Sequence, residues 1–275
     1  MNMITFDNEL AVRLGCFIAI FIAMGIWETL APRRTLTASK RLRWDNNLAI
    51  TLLNSVIIRI IFPAAAVGMA FMSEWSGWGI FNMLRVPSLP AGILSLLILD
   101  LTIYTQHLLF HRIKIFWLLH RMHHTDLDID VTTGTRFHPL EILLSMELKI
   151  VTVVLIGAPA WSVLLFGILL NATSMFNHSN VRMPANVDRI LRRIVVTPDM
   201  HRVHHSIIAD EMNSNFGFNF PWWDRLFGTY RDQPVMGHDA MIIGLANFLD
   251  TKYLKLPWML AVPFIRKSTS ATPRA

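Results

Sequence analysis

Residues 150–177 read IVTVVLIGAPAWSVLLFGILLNATSMFN, a run of 28 positions without a charged side chain. One bilayer crossing needs about 20 apolar residues, roughly 30 Å of helix, so this run exceeds one crossing. Gly157, Ala158 and Pro159 break it near its middle. The arginines that follow (Arg182, Arg189, Arg192, Arg193 and Arg202) place its far flank on the same side as the basic segment preceding it, because basic loops stay cytoplasmic. A helical hairpin meets both conditions, its arms recruiting residues such as Ile142 to Leu148 and Pro159 suiting the first turn of the second arm. A single tilted span is the alternative.

Three further apolar segments lie upstream. Leu10 to Leu30 is long enough to cross, and its basic residues follow the apolar run, as in an anchor and unlike a cleavable signal. Leu48 to Met72 carries Arg59 and Pro63, and Leu89 to Phe110 carries Asp100 and His107. Arg59 is either functional or snorkelling. Arg33, Arg34, Lys40, Arg41 and Arg43 follow the first span, and Arg112, Lys114 and Arg121 follow the third, so these loops are expected in the cytoplasm and the N-terminus outside. The link from Ser73 to Ser88, with Trp75 and Trp78, reads as an outer loop with interfacial anchors. Met241 to Phe264 is interrupted by Asp250, Lys252, Lys255 and Pro257 and reads as interfacial packing, followed by a disordered tail after Arg266. The expected architecture is all-α. About four transmembrane helices, the last part a hairpin, form a membrane stem under a cytosolic helical cap, in one domain spanning 1–275 with its catalytic core near 90–235.

Composition agrees. The 275 residues are 53% hydrophobic and 16% charged, with mean hydropathy +0.43, against about 25% charged in soluble domains. The net charge of +6 suits an anionic membrane face or nucleic acid, and hydropathy favours the membrane. A single cysteine, Cys16, excludes an intrachain disulfide framework and a cysteine-ligated metal site. Any metal must sit on nitrogen or oxygen.

Nitrogen is abundant. His107 and His111 form HxxxH, His120, His123 and His124 form HxxHH, and His201, His204 and His205 form a second HxxHH. Residues at i, i+3 and i+4 share a helix face, so each motif presents imidazoles from one turn. With 11 histidines in the chain, two HxxHH motifs arise by chance on the order of once in several thousand such sequences. Eight imidazoles packed without a metal would leave ring nitrogens unpartnered and oppose one another's protonation, and eight ligands are too many for one ion. Two ions in a shared histidine shell is the economical reading. His138 and His178 bracket the charge-free run, and a hairpin returns both to the same mouth as additional candidate ligands. Arg136, His138 and Glu141 alternatively orient ligands from behind. His238 stands alone and reads as an ordinary buried or surface histidine.

These residues carry a family resemblance. The blocks Arg43-Trp44-Asp45-Asn46-Asn47-Leu48, Trp117 to His124, Thr197 to His205 and Trp223 to Tyr230 resemble the fatty acid hydroxylase/sterol desaturase superfamily of membrane-bound, histidine-rich di-iron oxygenases, nearer its sterol desaturase and alkylglycerol monooxygenase side than the shorter carotene hydroxylases. The resemblance implies a four-helix stem, a cytosolic cap holding two iron ions (Fe2+/Fe3+), and O2-dependent hydroxylation or desaturation of a fatty acyl, sterol-like or ether lipid. It implies a lipid entering from the bilayer along an apolar tunnel. An external electron carrier of ferredoxin, rubredoxin or cytochrome type follows, since the sequence has no cysteine cluster or dinucleotide fingerprint. Asp126, Asp128, Asp199, Asp210 and Glu211 read either as charges offsetting the ions or, preferentially, as solvated surface, and Asp224 as a cap or histidine partner. A zinc-dependent membrane hydrolase and a non-enzymatic metal-binding membrane protein are the rivals; the first needs fewer ligands and the second places them near the bilayer midplane.

Overall fold

The computed structural model describes residues 6–266 and contains helices and turns, with no β-strand among the described residues. Helix α1 spans Phe6–Leu30, α2 Lys40–Ile61, α3 Ala65–Ser76, the single turn α4 Ile80–Met83, and α5 Ser88–Arg112. After these come α6 Lys114–His124, α7 Pro139–Ile156, α8 Ala160–Asn177, α9 Ala185–Leu191 and α10 Pro198–His204. Four helical segments are long and apolar enough to cross a membrane: 9–30, 40–83, 88–112 and 160–177.

The hairpin forms as the sequence requires. Gly157 takes φ 70° and ends α7, and Pro159 sits at the cap immediately before α8, where its missing N–H costs nothing. The turn is held from outside by Gly79 at φ 90°: a Cβ there would meet the backbone nitrogen of Gly157 at 2.2 Å. At the opposite end, Ser174 Oγ donates to the Gly134 carbonyl at 2.7 Å, so α8 returns to the level at which the chain enters α7. Each arm packs against α3 and α5, through Val67, Ala70, Leu99, Ile103, Val153 and Val163. Lipid is as apolar as these side chains, so close packing, not water exclusion, stabilises this interior.

The second apolar segment, read from Leu48 to Met72 as one span, is two helices. Pro63 supplies no N–H, and the chain breaks between Ile61 and Ala65. α2 also turns a polar stripe inward: Arg43, Asn47, Ile50 and Asn54 recur at helical spacing and are its buried residues. α1 shows the reverse, with Leu10, Leu14, Ile18, Ile22 and Ile26 exposed along one side, as a lipid-facing helix must be. The Ser73 to Ser88 link leaves Trp75 93% exposed.

Residues 241–264 contribute only short turns and the helix Leu256–Ala261, matching a segment that packs without crossing. Phe248, Met259 and Val262 bury against Trp117 and Met122 of α6. Arg121 donates to the Val262 and Ile265 carbonyls at 2.6 and 2.7 Å. The tail after Arg266, expected to be disordered, lies outside the described residues.

Candidate metal centre

Nine of the ten candidate histidines, the eight set by spacing and His178, converge in two adjoining groups. His107, His111, His120, His124 and His204 form one, and His123, His178, His201 and His205 the other; within each, one ligand atom per residue lies within 4.8 Å of all the rest. All nine are buried. The motifs interleave. His120 and His124, one turn apart on α6, serve the five-membered group while His123 serves the other; on α10, His201 and the following His205 serve the four-membered group while His204 crosses to the first.

Five of the outward nitrogens are fixed. Nδ1 donates to the Phe216 carbonyl from His107 at 2.8 Å, to the Arg136 carbonyl from His123 at 3.0 Å, to the Ser174 carbonyl from His178 at 2.8 Å, and to the Ser214 carbonyl from His204 at 2.8 Å. His120 Nδ1 lies 2.7 Å from Glu141 Oε1. A carbonyl only accepts, so Nδ1 carries the hydrogen and Nε2 of the neutral ring is a bare lone pair. Yet Nε2 of His123 and Nε2 of His178 stand 3.1 Å apart, and His178 is 3.1 Å from His201 Nε2. Nε2 of His111, His124, His204 and His205 is buried without a partner.

Protons do not relieve this. Burial, then the surrounding imidazoles, push the proton affinity of His123, His124, His201, His204 and His205 well below the ordinary value. Burial takes His120 to about 3 and His178 to about 4. Between His123 and His178, neutral rings face each other lone pair to lone pair with no donor, which fits a bound cation, and imidazole fits the iron, copper, nickel and zinc class.

His138 is the exception. Its Nδ1 accepts from the Leu140 backbone N–H at 3.2 Å as the cap of α7, and its Nε2 faces the Leu260 carbonyl at 3.3 Å. Both nitrogens are engaged, and His138 belongs to neither group. Glu141 and the Arg136 carbonyl hold ligands from behind, as the alternative reading of this segment allowed. His238 also lies apart: it is buried, its ring nitrogens have no hydrogen-bond partner, and Nε2 is 3.8 Å from Asp199.

The acids expected at a solvated surface divide. Asp126, Asp128 and Glu211 are buried, because each satisfies interior groups. Asp126 receives Arg43 at 2.6 and 2.9 Å, Asp128 caps the Thr37 and Ala38 amides, and Glu211 takes the Val235 amide. Asp130 also pairs with Arg43. Burial opposes the charge of Asp126, but the guanidiniums of Arg43 and Arg136 outweigh it and hold the carboxyl at about 2. Asp199 is half-buried and pairs with Arg33 and Arg202, and Asp210 is exposed. Asp224 reaches His107 through the backbone: it accepts the Phe216 and Gly217 amides at 2.8 and 2.9 Å, fixing the carbonyl that His107 uses. The network of Arg43, Asn47, Asp126, Asp130 and Thr132 was missed by the motif reading; its signal was the inward polar spacing on α2.

A cavity of about 690 Å³ opens beside the first group, lined at that end by His107, His120, Phe137, Glu141 and Phe218, in the size range of sites that enclose organic ligands.

The sequence matches the family model for fatty acid hydroxylases over residues 92–229, half of the chain. The chain belongs to the fatty acid hydroxylase family. Among curated relatives, the ornithine lipid hydroxylase OlsE of Rhizobium tropici is 28% identical over 259 residues, covering 91% of this chain and 75% of that protein. Human alkylglycerol monooxygenase is 26% identical over 183 residues, covering 66% of this chain and 39% of that one. Human cholesterol 25-hydroxylase is 26% identical over 147 residues, 52% of either chain. No solved structure matches at a significant level. All seven clustered histidines of α6, α8's end and α10 fall inside the stretch matched to the fatty acid hydroxylase family, as do His107 and His111.

Proposed function

We propose that this protein is a membrane-bound lipid hydroxylase whose nine converging histidines hold two iron ions, with the catalytic core between about residues 90 and 235. The observation that carries this reading is the facing pair of bare Nε2 atoms on His123 and His178, 3.1 Å apart, which only a cation between them reconciles. Iron bound there supplies the O2 activation and C–H cleavage that no side chain performs. The chain's own groups prepare the site. The carbonyls of Phe216, Arg136, Ser174 and Ser214 hold the Nδ1 protons and aim the ligands. Phe137, stacked on His123 at 4.6 Å, and Phe218 wall the site from water. The cavity admits a lipid chain to its edge. Electrons come from an external carrier of ferredoxin, rubredoxin or cytochrome type. The cytoplasmic placement of the centre rests on the basic residues that follow α1, α5 and α8.

Purified protein in lipid nanodiscs should contain two iron ions per chain and, with a reductant and O2, convert a lipid to a species heavier by one oxygen. His123→Ala should abolish that conversion. Zinc in place of iron with hydrolysis of an ester lipid, or unchanged oxygen insertion in His123→Ala, would refute the assignment.

A further inference from the structure

The cavity beside the histidines is chemically two-ended. At the histidine end, Asn54 Oδ1, Gln106 Oε1 and Glu141 Oε2 are buried oxygens with no partner. Further along, the lining includes Arg13, Arg59 and Lys149. Arg13 is paired with Glu9 at 2.8 Å on its own helix, whereas Lys149 has no hydrogen-bond or ion-pair partner among the described residues. Three cations against one carboxylate leave this end positively charged.

Its depth makes the charge informative. Lys149 lines a second, contiguous hollow together with the buried Val67, Leu99 and Val163 and the part-exposed Arg13. A cation at this level of a membrane protein is costly and marks a ligand or ion path. On the buried side of α7, Met146 and Val153, one turn either side of Lys149, are apolar.

We propose that this end of the cavity binds the anionic group of a single-chain amphiphile, held by Lys149 with Arg13 and Arg59, while the chain runs toward the histidines. The inference rests on the hydroxylase reading for what happens at the other end. The unpartnered oxygens beside the histidines repel an anion and the cations attract one, so polarity alone sets the direction in which the substrate lies. The spacing sets the position presented. Glu141, which touches His120, and Lys149 are eight residues apart on α7, about 12 Å along the helix. Extended chain advances about 1.2 Å per bond, so that helix separation corresponds to roughly ten bonds of chain.

The test is a binding measurement that needs no turnover. Radiolabelled hexadecanoate, hexadecyl phosphate and hexadecanol are titrated onto the full-length protein in phosphatidylcholine nanodiscs at pH 8.5, with binding to empty discs subtracted. Either anionic probe should bind about tenfold tighter than hexadecanol, as a charge-assisted contact requires; whichever anion binds tighter identifies a carboxylate or a phosphate as the natural group. Lys149→Met should bring the anion and alcohol to near parity, and Lys149→Arg should keep the preference. Arg59→Gln, at an exposed position, should weaken it if the lysine variant fails to fold. Equal binding of all three probes to the wild type, or a preference untouched in Lys149→Met, would overturn the subsite. Equal binding alongside lipid hydroxylation leaves the hydroxylase reading standing, and anion preference in a protein that oxidises no lipid overturns that reading alone.

Discussion

Glu141→Gln isolates one contact behind one metal ligand. His120 Nδ1 and Glu141 Oε1 are 2.7 Å apart, with both side chains almost fully buried, and the second carboxylate oxygen has no partner. The support that Glu141 gives His120 therefore runs through a single hydrogen bond. Glutamine keeps the volume and an acceptor oxygen but removes the carboxyl group. Loss of such a support costs about tenfold to a hundredfold in metal affinity, or roughly 1.4–2.7 kcal/mol. It should fall on one ion only, because His120 belongs to the five-histidine group. The four-histidine group is oriented by the Arg136 and Ser174 carbonyls, which the substitution leaves in place. Metal retained against a graded chelator series, measured by elemental mass spectrometry on protein in nanodiscs, reads both affinities. In Glu141→Gln, one of the two release steps should move by one to two decades of chelator while the other stays. Equal movement of both steps, or of neither, would refute the division of the histidines into two separately supported sites.

His138→Ala should leave two ions bound and reduce stability by about 1 kcal/mol, the cost of a lost helix cap; elemental analysis and thermal unfolding check the two halves. Gly134→Ala places a Cβ 2.5 Å from the Ser174 carbonyl oxygen, the atom that orients His178, so it should cost about 1–3 kcal/mol and selectively weaken the four-histidine site in the same chelator series. Arg43→Met strands Asp126 and Asp130 in the interior and should destabilise by about 3–5 kcal/mol, seen as a lowered unfolding temperature. Asp126 binds its proton more weakly folded, at about 2, than unfolded, at about 4. The stability it contributes is therefore complete above pH of about 4 and lost as pH falls through about 2; Asp126→Asn should flatten that part of a denaturation-against-pH profile.

Much of this site is legible in the chain because its signals are local. The absence of charge from Ile150 to Asn177 and the break at Gly157 specify a hairpin, and i, i+3, i+4 spacing specifies which imidazoles share a turn. What spacing does not encode is which partner occupies the second nitrogen. His138 and His178 look alike in sequence, but the Pro139 that follows His138 starts a helix whose Leu140 amide claims that ring, whereas His178 ends one and gives its Nδ1 to the last turn. The acids failed for a related reason. Asp126 lies two positions beyond HxxHH and reads as polar surface until Arg43, 83 positions earlier, is folded against it. Long-range pairing of that kind leaves its trace only on the partner, in the inward polar stripe of α2.

The exchange of histidines between α6 and α10 couples the two histidine groups to each other. A one-residue insertion before either motif swings every ring on that helix by about 100°, and since each helix feeds both groups, both lose members together: one ahead of α10 takes His204 from the first group and His201 and His205 from the second. Both groups are thereby tied to a single rotational setting of two short helices, so a mis-winding by one position disturbs the two together.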